Sequence, residues 1–130
     1  YIRFEPRGQY IGTEPYNKWT KPSCVLIGED NYSDACGFPY VYKTLGIGKL
    51  IGAPVPGTMT AVWWENQIDP SIVFGIPQVG ALGVKEGRYL ENMQIEPDIL
   101  VYNDPASVLR GEDKQLEAAV KEMLKTIESR

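Results

Sequence analysis

The stretch "SCVLIGEDNYSDACGFPYVYKTLGIGKLIGAPV", residues 23–55, decides the reading of this chain. Its first six residues are a short β-branched and apolar run. That pattern fits a strand buried on both faces, as in a parallel sheet. A helix is predicted over 34–45, where Ala35, Phe38, Val41, Tyr42 and Leu45 recur at i, i+3, i+4 spacing. Asp34 suits the positive end of that helix and Lys43 the negative end. Gly46 ends it. Pro39 lies about one turn in, where a missing N–H is still tolerated. The run over 48–55 then reads as a second strand. A strand–helix–strand crossover is right-handed and sets its two strands parallel. The class is therefore α/β.

Working outward, "YIRF" at the start alternates like a strand, and the Pro-, Gly- and Tyr-rich residues 5–19 read as a long loop. After a turn over 54–57, strands are expected at 59–67 and 71–82, joined at Asp69-Pro70. Residues 85–87 read as a hairpin tip, with 88–93 returning, and 96–104 as extended chain. The tail "DKQLEAAVKEMLKTIESR" is a helix capped by Asp113. Leu116, Ala119, Val120, Met123, Leu124 and Ile127 form one stripe, expected to cover the sheet. The organisation is thus a loop-rich lead-in over 1–20, a core over 21–104 and a C-terminal helix within 105–130.

The 130 residues fit one domain. The net charge is −4 with both signs interspersed, and no basic stripe supports nucleic-acid binding. No apolar run reaches the ~20 residues of a membrane span. Cys24 and Cys36 are too few for a disulfide framework and lack metal-knuckle spacing. Cys24, inside an apolar run, reads as a buried small hydrophobe. No metal and no cofactor is expected. The chain begins at Tyr1, as a piece cut from a longer protein would.

Ser33 stands where the buried strand gives way to the helix. Helix-start N–H groups have no intrahelical partner, so the Asp34 amide is placed to stabilise an oxyanion while Ser33 attacks a carbonyl. Ala35 and Gly37 leave room for a substrate backbone. The ordinary reading of a serine here is a helix cap. A serine nucleophile also needs a base, and the chain holds no histidine. Lys43 and Lys49 fall at a helix end and a strand start, facing solvent.

Four ordered blocks carry a resemblance: "GEDNYSDACGFPY", "LGIGKLIG" with "PVPGTMT", "YLENMQIEPDILV" and "GEDKQLEAAVKEML". Together they resemble the catalytic core of the carboxy-terminal processing peptidases, in particular their tricorn-type branch, over about residues 20–125. The resemblance implies a crotonase/Clp-protease-like core, here as an incomplete domain. It implies Ser33 as nucleophile, Asp34 as donor of one oxyanion amide and Glu91 as an acid supporting the catalytic relay. Gly57 and Thr58 are expected to contact substrate. The sequence departs from the family at Asn31, Tyr32 and Gln94. Thr58 stands where the Ser/Lys branch carries lysine, which argues against that mechanism. In the tricorn branch the base is a histidine from a segment far upstream, and so is the second oxyanion amide.

The expected function is a serine endopeptidase acting through an acyl-enzyme on Ser33, inactive as this piece alone. One alternative is a degenerate peptide-binding module on the same fold, using the "PVPGTMTAVWW" edge and Trp63-Trp64. Another is a crotonase-like acyl transferase or hydratase. Expected partners are a peptide or protein substrate and the upstream part of its own chain, with self-association as a further option. The bacterial periplasm or envelope is favoured over the cytoplasm.

Overall fold

The computed structural model describes residues 17–129, with Gly8 and the backbone of residues 2–4 and 10–13. Residues 1, 5–7, 9, 14–16 and 130 lie outside the described residues, and with them part of the expected loop over 5–19. Within that loop a strand forms. β1 (Ile2–Phe4) pairs antiparallel with β2 (Tyr10–Thr13). Tyr10, Ile11 and Thr13 are strand-favouring residues, but three of them around Gly12 escape notice among glycines and prolines.

The predicted crossover forms the centre of the molecule. β3 (Cys24–Ile27), α1 (Asp34–Thr44) and β4 (Lys49–Gly52) follow as strand, helix and strand. β3 and β4 are parallel, Cys24 opposite Lys49 and Ile27 opposite Gly52. β5 (Thr60–Asn66) and β6 (Val73–Gly80) make a separate antiparallel ribbon. Beyond it the chain returns as a single bridge, Leu82 to Tyr89, rather than a strand. β7 (Ile99–Leu100) then adds in parallel beside β4, giving the order β3-β4-β7.

The C-terminal region holds two helices where one was expected. α2 (Pro105–Leu109) starts on Asp104, whose side chain accepts the Ser107 N–H, and stops before Gly111 at φ 77°. α3 (Lys114–Glu128) starts on Asp113, whose side chain accepts the Leu116 N–H. Among the described residues, no helix is long and apolar enough to cross a membrane.

Alternation along the strands sends Val25, Ile27 and Leu50 to one face and Cys24, Leu26, Lys49 and Ile51 to the other. On the first face Ile27, Cys36, Tyr42, Leu50, Val55 and Ile95 form the core, beneath α1. Tyr42 keeps its hydroxyl satisfied by Ser23, 2.8 Å away. α3 packs on β3 and β4. There Glu122 pairs with Lys49, and Ile51 is fully buried.

Each helix packs through only one edge of the stripe its apolar spacing predicts, Tyr42 on α1 and Ala119 with Met123 on α3, and leaves the rest of the stripe exposed. α1 buries Cys36, Pro39 and Tyr42, while Phe38, Val41 and Leu45 stay at least half exposed. α3 buries Ala119 and half-buries Met123, while Leu116, Val120, Leu124 and Ile127 point outward. Cys24 is likewise only half-buried, and it is Cys36 that is sealed from solvent. Burial and the nearby Glu122 carboxylate push the Cys24 thiol up, keeping it in its neutral form.

Candidate active site

The turn that carries Ser33 is built by Asn31. Its Oδ1 accepts the Gly28 N–H at 3.0 Å and its N–H donates to the Gly28 carbonyl. Its Nδ2 donates to the Ala35 carbonyl at 2.8 Å, lashing the end of β3 to the first turn of α1. Tyr32 beside it is exposed. The two family departures just before the serine thus do different things: Asn31 builds the turn and Tyr32 faces solvent.

Ser33 occupies the cap position of α1 with φ 55° and ψ −118°. A non-glycine residue in such a conformation carries strain of about 1–3 kcal/mol and persists only where its surroundings enforce it. The Ser33 carbonyl accepts the N–H groups of Cys36 and Gly37, so the backbone starts the helix. Its side chain makes no capping hydrogen bond. The ordinary reading of this serine as a side-chain cap therefore does not apply. The hydroxyl is exposed at a strained strand-to-helix turn, the geometry that presents a nucleophile. The Asp34 N–H makes no hydrogen bond among the described residues and lies at the positive end of α1.

Residues 56–60 run past this turn. The Thr58 Oγ1 accepts the Ser33 N–H at 3.2 Å. One residue on, the Met59 N–H donates to Glu91 Oε2 at 2.7 Å. The Thr60 side chain and the Met59 N–H hold the Glu91 carboxyl below the usual carboxylate range, so it stays ionised. Gly57 is buried against the backbone of Met93, and its carbonyl accepts the Asn92 N–H at 2.7 Å. A β-carbon on Gly57 would stand 2.3 Å from the Met93 nitrogen, so only glycine fits.

A cleft of about 200 Å³ opens between α1 and the near ends of β5 and β6, lined by Ser33, Asp34, Gly37, Thr58, Thr60 and Gly80. Three of the five residues singled out in the sequence, Ser33, Asp34 and Thr58, meet on its wall. Gly57 and Glu91 stand behind that wall and hold the 57–60 segment. Two other hollows, of about 250 Å³ beside Lys43 and Lys85 and about 620 Å³ along α3, lie away from Ser33. The candidate lysine bases are committed elsewhere. Lys43 donates to the Glu96 carbonyl at 2.7 Å and pairs with Asp98, and Lys49 pairs with Glu122.

Cys36 is the residue that sequence reasoning passed over. It is completely buried one helical turn after Ser33, and its sulfur lies 2.8 Å from the Pro56 carbonyl oxygen and 3.1 Å from Thr58 Oγ1. Its one available signal was spacing, since a residue three past a helix cap faces back under the cap.

A parallel three-stranded sheet with a strained serine at the mouth of its crossover helix is a serine-peptidase-type fold, as comparison with known proteins shows. The profile of peptidase family S41 matches residues 3–101, and the chain belongs to that family. It is 25% identical to the tricorn protease of Thermoplasma acidophilum over 122 residues, 94% of this chain and 11% of that protein. It is 34% identical to a protein of Chlamydia pneumoniae over 90 residues, 68% of this chain and 14% of that one. The crystal structure of the tricorn protease superposes with a TM-score of 0.79 at 24% identity, covering 98% of this chain and 12% of that chain. The chain therefore spans about a tenth to a seventh of the curated relatives it matches.

Proposed function

We propose that the chain is the nucleophile-bearing part of a serine endopeptidase. The observation that carries this reading is Ser33 itself. In a chain of a peptidase family, its hydroxyl is free of the helix and exposed beside an unbonded helix-start amide. Ser33 Oγ attacks the scissile carbonyl, and a histidine from an upstream segment takes its proton. The Asp34 N–H stabilises the tetrahedral oxyanion, and a second amide comes from the same upstream segment. Glu91, kept ionised, supports the relay. The main chain of residues 58–60, on the cleft wall, contacts the substrate backbone, and Gly57 behind it holds that segment in place. The tetrahedral intermediate then collapses, the scissile C–N bond breaks as the histidine passes its proton to the leaving amine, and water hydrolyses the acyl ester. The 130 residues alone are inactive, because they hold no histidine. We also propose the bacterial periplasm or cell envelope as compartment, on the resemblance to tail-processing peptidases alone; fractionation of the source cells checks it.

The test is acylation of the full-length protein by a fluorophosphonate probe. Labelling should map to Ser33 and vanish in Ser33→Ala. Full-length protein that takes no label at Ser33, with its fold intact, overturns the reading. The exposure of Trp63 and Trp64 on the β5–β6 ribbon favours one second reading, peptide capture without hydrolysis. Peptide binding that survives in the unlabelled protein and is lost in Trp63→Ala would support it.

A further inference from the structure

The atoms around Cys36 fix the direction of every hydrogen bond between them. The Ser33 N–H can only donate, and the Pro56 and Asn31 carbonyls can only accept. Between them stand one hydroxyl and one thiol, each with one proton. The Cys36 sulfur is 2.8 Å from the Pro56 oxygen, 3.3 Å from the Asn31 oxygen and 3.1 Å from Thr58 Oγ1. The carbonyl at 2.8 Å requires the thiol proton, since otherwise two lone pairs would face each other at that distance. The Thr58 hydroxyl must then donate to sulfur, and its lone pair takes the Ser33 N–H at 3.2 Å.

We infer that Thr58 and Cys36 are positioning residues for Ser33, acting through a one-way chain from the Ser33 N–H to Thr58 Oγ1, to the Cys36 sulfur, to the Pro56 carbonyl. This rests on the reading of Ser33 as nucleophile and adds two residues to its support. Each bond in such a chain polarises the next. The chain ties the turn, the first turn of α1 and residues 56–58 into one unit. It accounts for how a serine at φ 55° is held without any bond to its own side chain. A thiol rather than a hydroxyl at 36 suits the sealed site, because sulfur reaches two carbonyls and a hydroxyl at once.

The test uses the full-length protein and two readouts. In Thr58→Val, which keeps shape and removes the hydroxyl, the rate of Ser33 acylation should fall by roughly tenfold to a hundredfold while probe affinity changes little, as expected of a misplaced nucleophile. Thr58→Ser restores the hydroxyl and should return the rate to within about threefold, the remainder reflecting its looser χ1. Melting curves check that the variants fold. The second readout needs no activity. The infrared S–H stretch of Cys36, isolated as the difference between wild type and Cys36→Ser, should move to higher frequency in Thr58→Val and return in Thr58→Ser. An unmoved band overturns the chain even if the enzyme is inactive. A moved band with unchanged acylation overturns the positioning role. Wild-type protein that takes no label fails the peptidase reading instead, and the band still decides the chain.

Discussion

Ser33 is where stability and chemistry are set against each other. Its backbone conformation is one that glycine adopts without strain. Ser33→Gly should therefore raise Tm by a few degrees, on the order of 1 kcal/mol, while abolishing acylation. A Tm unchanged or lowered would mean that the turn is not strained. Glu91 makes a second prediction at this scale. Its pKa is depressed on folding, so it stabilises the fold above its unfolded value and loses that contribution as pH falls through the folded one. Glu91→Gln should lower Tm at neutral pH, and the deficit should narrow below pH 4.5, the ordinary glutamate value. Thermal melts of both proteins between pH 3 and 8 check this. Ser33 and Asp34 were legible in the sequence because a strand-to-helix junction is a local pattern. The bond from Thr58 to Ser33 and the burial of Cys36 were not, since they depend on residues 56–58 crossing beneath the turn.

At the level of elements, the 57–60 segment is held to its neighbour by close backbone contact at Gly57. Gly57→Ala should force residues 57 and 93 apart at a cost of about 1–3 kcal/mol and displace Thr58 and Met59 together. Tm and acylation should fall together, and an unchanged Tm would show that the approach has slack. The crossover β3–α1–β4 was readable because length, apolar runs and handedness agree on it. The packed faces of α1 and α3 were readable only in part, through Tyr42, Ala119 and Met123. Spacing reports that a helix has an apolar stripe, but not which neighbour it meets. Here the sheet takes the narrower stripes, Cys36-Pro39-Tyr42 and Ala119-Met123, and leaves the richer ones outside. β2 and α2 are of four and five residues, too short for any period to emerge.

The molecule as a whole exposes 9848 Å², against roughly 6,900 Å² for a compact monomer of 14.6 kDa. Its exposed apolar side chains include the outward stripes of α1 and α3 and both Trp63 and Trp64 of the β5–β6 ribbon. The isolated 130 residues should therefore bind an apolar dye such as ANS and associate in solution. Dye fluorescence no stronger than that of a compact folded protein of the same size would contradict this. Ser33 and Glu91 stand 58 residues apart in sequence, yet they hang from adjacent residues, Thr58 and Met59. The 31 residues between Met59 and Glu91, ribbon included, are a detour whose neck is closed by the Met59 N–H on Glu91 and the Asn92 N–H on the Gly57 carbonyl. The outer part of that ribbon can be lengthened, shortened or exchanged like an interchangeable attachment, with the anchoring of both groups left where it is.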